Sequence, residues 1–168
     1  MKDNTNTVQV RIETLAEKKL VGKRKRMSLA NNQTRQLWQS FMANRNEIKN
    51  LAGSELYSLE VYSNANFFRN FDPSAPFDKW AAVEVSSFDT IPTEMETIII
   101  PAGLYAVFLH KGLASEGPKT YQYIFAEWLP RSAFLPDNRP HFAVMGEKYK
   151  PEDPASEEEI WIPVISKG

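Results

Sequence analysis

Apolar residues recur along this chain at two spacings, and the changes between them mark its elements. In "TVQVRIETL", Val8, Val10 and Ile12 alternate with polar partners, the period of a strand. "KKLVGKRKRMSL" reads as a second strand, or as a continuation of the first past a bend. "NNQTRQLWQSFMANRNEIKNL" then gathers Leu37, Trp38, Phe41, Met42, Ile48 and Leu51 on one helical stripe, with Asn31 or Asn32 as N-cap and Gly53 as the stop. "ELYSLEVYS" and "KWAAVEVSS" follow as strands around the loop "NANFFRNFDPSAPFD".

The second half repeats this rhythm. "METIIIPAGLYAVFLHKG" is a strand with an irregularity at Pro101–Gly103. "GPKTYQYIFAEWLPRS" is a second helix, with Pro118 in its first turn, Pro130 near its end and a stripe of Tyr121, Ile124, Phe125 and Trp128. "HFAVMGEKY" and "EIWIPVI" close the chain as strands. Both halves therefore run strand, helix, strand, strand. Corresponding positions (Leu20 with Leu104, Thr34 with Thr120, Glu60 with Ala143) lie near half a chain length apart. The predicted architecture is a single α+β domain over 1–168, with one βαββ module at about 7–88 and another at about 95–165.

Composition narrows the function classes. At 168 residues with 42% hydrophobic and 12% aromatic content, the chain supports one packed domain. A formal charge of −1 gives no electrostatic reason to expect nucleic-acid binding. In "KRKR", Lys23–Arg26, successive side chains alternate between strand faces and form no single basic stripe. There is no cysteine, which removes disulfides, thiolate metal sites and cysteine nucleophiles. The histidines, His110 and His141, have no metal-site spacing around them and read as polar strand residues, so no metal or cofactor is expected. The start "MKDNTNTVQV" has no apolar signal region, and no run approaches a membrane span; a cytoplasmic location is the expectation.

The aromatic and acidic residues carry more information. Alternation groups Trp161 with Glu159 and Pro163, Trp80 with Ala82 and Glu84, and Ser58 with Glu60 and Tyr62, each apart from aliphatic neighbours. A sheet face mixing Trp, Tyr and Glu would suit flat, partly cationic molecules. Simple core packing is the competing account of Trp128, and surface exposure that of the glutamates. No nucleophile elbow or phosphate-binding glycine loop is present, and a non-enzymatic role is expected.

The strand "IPAGLYAVFLHKG", the helix ending "EWLPRSAF", the strand "RPHF…GEKY" and the terminal "EEEIWIPV", in this order, resemble the GyrI-like effector-binding domain, the ligand sensor of AraC-type and multidrug-responsive transcription regulators. The resemblance runs from about residue 7 to residue 165. It implies a duplicated βαββ fold with a ligand groove between pseudosymmetric halves, and binding of small aromatic or cationic compounds. For some stand-alone members it implies protection of DNA gyrase, which makes gyrase an alternative partner, and for a few relatives hydrolysis of cyclopropane-bearing electrophiles. A chain of this length is expected to act as a stand-alone binding protein.

One position departs from the pattern. Where such domains carry Pro-x-Phe-Glu, with the acid central in the groove, this chain reads Pro140, His141, Phe142, Ala143. Either Glu60, Glu84 or Glu147 supplies the charge, or the ligand is neutral, or alanine at 143 is itself a replacement. The expected groove is lined by Trp38, Tyr62, Trp80, Tyr105, Trp128 and Trp161 around Ala143, with Glu60 or Glu84 as the acid.

Overall fold

The computed structural model describes residues 9–69, 72–113, 116–150 and 152–168. Strand β1 (Val10–Leu15) bends into β2 (Lys18–Met27), followed by helix α1 (Thr34–Asn44), β3 (Leu56–Val61) and β4 (Phe77–Glu84). β5 (Glu96–Ile100) and β6 (Gly103–Lys111) lead into α2 (Gly117–Tyr123), which passes through a π-helical turn at Ile124–Trp128 into the short α3 (Leu129–Arg131). β7 (Phe134–Pro136), β8 (His141–Met145) and β9 (Glu157–Ser166) complete the chain. This is the antiparallel α+β fold that the repeated rhythm predicts.

Among the described residues the sheet runs β1-β6-β9-β8-β3-β4-β2-β5, with β7 attached to β9. Exchanging each strand for its counterpart in the other half leaves this order unchanged from either end. A pseudo-two-fold axis therefore passes between β3 and β8, where Ser58 faces Ala143. The outermost ladders share one register: Leu15 pairs with Gly103, and past the bend Lys18 pairs with Ile100. Two long bent strands, one per half, thus form a continuous ribbon that joins the ends of the strand order and curls the sheet.

The curl gives the sheet two apolar faces. On one, α1 packs Leu37 and Phe41 against Val21, Ala81 and Val83, while the second helix packs Ile124 and Leu129 against Ala106, Phe108, Ile160 and Ile162. On the other, Leu20, Leu59, Trp80, Ile100, Tyr105, Phe142 and Trp161 pack on one another, with no helix residue in this cluster among the described residues. Gly22 permits the tight β2–β4 approach, since a Cβ there would sit 2.0 Å from the Ala81 carbonyl oxygen. His110 fixes the start of α2: its Nε2 donates to the Leu113 carbonyl (3.0 Å), and its Nδ1 shares a hydrogen bond with the Thr120 hydroxyl at 2.8 Å.

Some boundaries differ from the sequence reading. Helix α1 ends at Asn44, with one 3-10 turn at Arg45–Glu47, well short of Gly53. Ile48 turns extended, and Asn44 donates to the Glu47 carboxylate (2.9 Å), tightening the chain at this point. Leu51 falls outside the helix and bridges to Val85. Asn32 does accept the Thr34 amide (2.9 Å), although Gln33 occupies the cap position. The Pro101–Gly103 irregularity is the break between β5 and β6, and β7 carries no alternation long enough to reveal it. Three residues of the basic run are engaged within the fold. Lys23 donates to Ser40 and Asn44 on α1, Arg24 pairs with Glu96 and Asp78, and Arg26 pairs with Asp78.

Candidate functional site

Antiparallel register decides which side chains share a face, because directly opposed residues project to the same side. Across β3 and β4, Leu59 opposes Trp80 and Glu60 opposes Lys79. Across the central seam, Glu60 opposes His141 and Ser58 opposes Ala143. Glu60, Tyr62, Lys79, His141 and Ala143 therefore lie on the helix-covered face, at the axis between α1 and α2. Trp80, Glu84, Tyr105 and Trp161 lie on the opposite face.

This corrects the expectation of one mixed groove. Trp80, Tyr105 and Trp161 are buried core residues: Trp161 stacks on Phe142 (5.3 Å between centroids) and meets Tyr105 edge-on at 5.9 Å. The indole of Trp161 donates to Glu159 (3.2 Å). Glu84 sits at the rim of that face, paired with Lys18 at 3.3 Å and 3.5 Å from the Tyr57 hydroxyl. Trp128 packs under the second helix between Phe108 and Phe134, and Trp38 packs edge-on against Phe41. Glu147 is exposed in the turn after β8. Of the ten residues singled out, the structure brings together Glu60, Tyr62 and Ala143.

Their surroundings are largely aromatic. Tyr62 lies 4.4 Å from Phe67 and 4.8 Å from His141, the latter edge-on. Phe68 stacks on Phe125 of the π-helical turn at 4.2 Å, and Phe125 in turn stacks on His141 at 5.9 Å. Both Phe125 and Trp128 of the π-helical turn pack on the core beneath the helix, but Phe125 also reaches the central seam through Phe68 and His141, whereas Trp128 meets Phe108 and Phe134.

Charge is concentrated within these rings. Glu60 is 7% exposed, with one carboxylate oxygen ion-paired to Lys79 and the other, Oε1, buried without a partner among the described residues. The Tyr121 phenol of α2 is held well above its ordinary range, first by burial, then by the Glu60 charge, with smaller contributions from Tyr62, Glu158 and its hydroxyl's approach to the Glu60 carboxylate; Tyr62 is raised by burial and by the Glu60 charge. Glu158, which opposes His110 on β9, is pushed up chiefly by burial. His110 and Lys79 counter that shift, and Glu60 adds to it. Burial lowers His141 to about 3, so its imidazole is neutral at ordinary pH, and its Nδ1 is a second buried atom with no partner among the described residues.

Lys79, Tyr121, Phe125, His141 and Glu158 were not among the residues singled out by sequence. The available signal was the phase of "FDKW" against "YSLEV", which fixes Lys79 beside Glu60 only once the strand register is known. Among the described residues no group of three or more His, Cys, Asp or Glu could hold a metal ion, and no helix is long and apolar enough to cross a membrane.

Comparison with known proteins identifies the fold and the family. The transcriptional regulator BrlR of Pseudomonas aeruginosa is 28% identical over 131 residues, a match covering 77% of this chain and 45% of the regulator. The chain thus spans less than half the length of that relative. The structure of SAV2435 bound to tetraphenylphosphonium superposes with a TM-score of 0.69 at 16% identity, over 94% of each chain. The C-terminal domain of EcmrR gives 0.67 at 16% identity, over 95% of this chain and 98% of that one. These two likenesses establish the fold. The model of the GyrI-like small molecule binding domain matches residues 8–165, and the chain belongs to that family.

Proposed function

We propose that this domain binds a flat aromatic small molecule, cationic or positively polarised, on the helix-covered face at the seam between β3 and β8. One observation carries the reading: Glu60 is a buried carboxylate with one oxygen uncommitted, enclosed by Tyr62, Tyr121, Phe125 and His141. Leaving a buried carboxylate oxygen unpaired costs free energy that a bound donor or cation recovers. Glu60, Lys79 and Glu158 sum to one negative charge when Glu158 is ionised, so the cluster favours a single positive charge. The rings add stacking and cation–π attraction, each worth about 0.5–2 kcal/mol. Phe68 already rests on Phe125 as a ring would, and a ligand ring is admitted by taking its place.

Tetraphenylphosphonium, the cation bound to SAV2435, carries four aromatic rings around a tetrahedral centre and supports the aromatic and cationic character of the ligand, while its flatness rests on the ring walls of this site. The BrlR likeness supports a sensing role, with ligand occupancy changing what the domain contacts. Fluorescence titration with a panel of aromatic cations tests the reading. Binding that is weakened about tenfold or more in Phe125→Ala is the expected result. Failure of every aromatic cation to bind at millimolar concentration would remove the reading.

A further inference from the structure

Glu60 and His141 are direct cross-strand partners, and each is more than nine-tenths buried. Each also carries one polar atom, Oε1 and Nδ1, with no hydrogen-bond partner among the described residues. Opposed side chains in an antiparallel pair are about 5 Å apart at Cβ, so the two orphaned atoms belong to adjacent side chains on one face. A buried carboxylate oxygen can only accept, and a neutral imidazole nitrogen accepts in one of its two tautomers. The walls are flat: the His141 ring lies 26° from the plane of Phe125, with Tyr62 edge-on at 86°.

The charge balance adds a second constraint. Lys79 already holds the other oxygen of Glu60, and alanine occupies position 143, where it meets Ser58 across the seam. A cation with no hydrogen-bond donor therefore finds a carboxylate that is half neutralised, and it leaves both orphaned atoms unsatisfied. Resting on the ligand site proposed above, we infer that this site selects planar nitrogen heterocycles that present N–H donors along one edge, over ring cations of equal charge that lack them. Glu60 Oε1 takes one donor and His141 Nδ1 a second.

A matched pair of dyes isolates this preference. Aminoacridinium and N-methylacridinium share the ring system and a single positive charge, but only the first carries N–H groups. Fluorescence titration of each into the full chain at neutral pH should give at least about tenfold tighter binding of aminoacridinium, the scale of one or two charge-assisted hydrogen bonds. In His141→Phe, which keeps a ring for stacking, the ratio should shrink severalfold while N-methylacridinium affinity holds. Glu60→Gln, which keeps the shape but not the charge, should shrink it too and serves if the first variant does not fold. Equal affinities of the wild-type chain for both dyes would overturn donor selection and leave the site intact. Failure of both to bind would instead overturn the site on which it rests.

Discussion

Lys79 is both the cross-strand neighbour of Glu60 and its ion-pair partner, on the helix-covered face of the central sheet. The side chains are only 13% and 9% exposed, so each charge depends on the other to remain in a poorly hydrated place. Removing one member of such a pair strands the other. Lys79→Met should cost about 3–5 kcal/mol in urea unfolding at neutral pH. Lys79→Met combined with Glu60→Gln should recover a large part of that loss. Additive effects in the double variant would mean the two charges are not coupled.

Ala143 lies on the same face, 6% exposed, with Ser58 on one side and Ile160 on the other. Ala143→Glu adds a carboxylate beside Glu60 and increases the negative charge of the seam. Affinity for N-methylacridinium should rise about tenfold relative to a neutral ring of the same size, the scale of one additional partly buried charge interaction. Global stability should fall at the same time. An unchanged preference between the two dyes would show that position 143 does not face the ligand.

Burial lowers His141 to about 3, against an ordinary value of 6.5. The unfolded chain then binds more protons than the folded one between these values, so stability is fully present above pH 6.5 and is lost as pH falls toward 3. Glu158 shifts in the opposite direction, its burial favouring the protonated folded state, and so offsets part of the slope. The difference between wild type and His141→Phe isolates the histidine. Denaturant midpoints measured across this range should fall more steeply with acid in the wild type, by an amount on the order of a few kcal/mol at the acid end. Parallel curves would mean that His141 titrates normally.

Trp161 and Phe125 separate the two faces experimentally. Trp161→Ala removes a buried indole that stacks on Phe142 and should cost about 3–5 kcal/mol of stability. Dye affinity of the folded fraction should nevertheless be preserved. Phe125→Ala should cost less stability, because the ring is only half buried, but should weaken dye binding about tenfold or more. The opposite pattern would place the ligand among the tryptophans.

The extent to which the sequence reveals this molecule follows from what alternation encodes. Within a strand, period two separates Ser58, Glu60 and Tyr62 from Leu59 and Val61 without reference to any other strand, and the structure keeps that separation. Between strands, a shift of one residue reverses the face. Trp80, conspicuous by size, invites a place beside Glu60, whereas the register gives that place to Lys79, which by composition alone looks like a solvated strand residue. Tyr121 and Phe125 are legible as a helical stripe, but not as neighbours of Glu60, since that proximity depends on how the helix lies over the seam. The duplication is legible because it resides in the order of elements. The exchanged ribbon of β1–β2 with β5–β6 is not, because pairing between distant strands leaves no local signature.

Whether a ligand sits against Glu60 on the helix-covered face is decided by a crystal structure of the chain grown with aminoacridinium. The dye should lie flat against Phe125, with Phe68 displaced and a ring or amino nitrogen within hydrogen-bond distance of Glu60 Oε1. Dye density instead against Trp80, Tyr105 and Trp161, with nothing bound at Glu60, would overturn the proposed site.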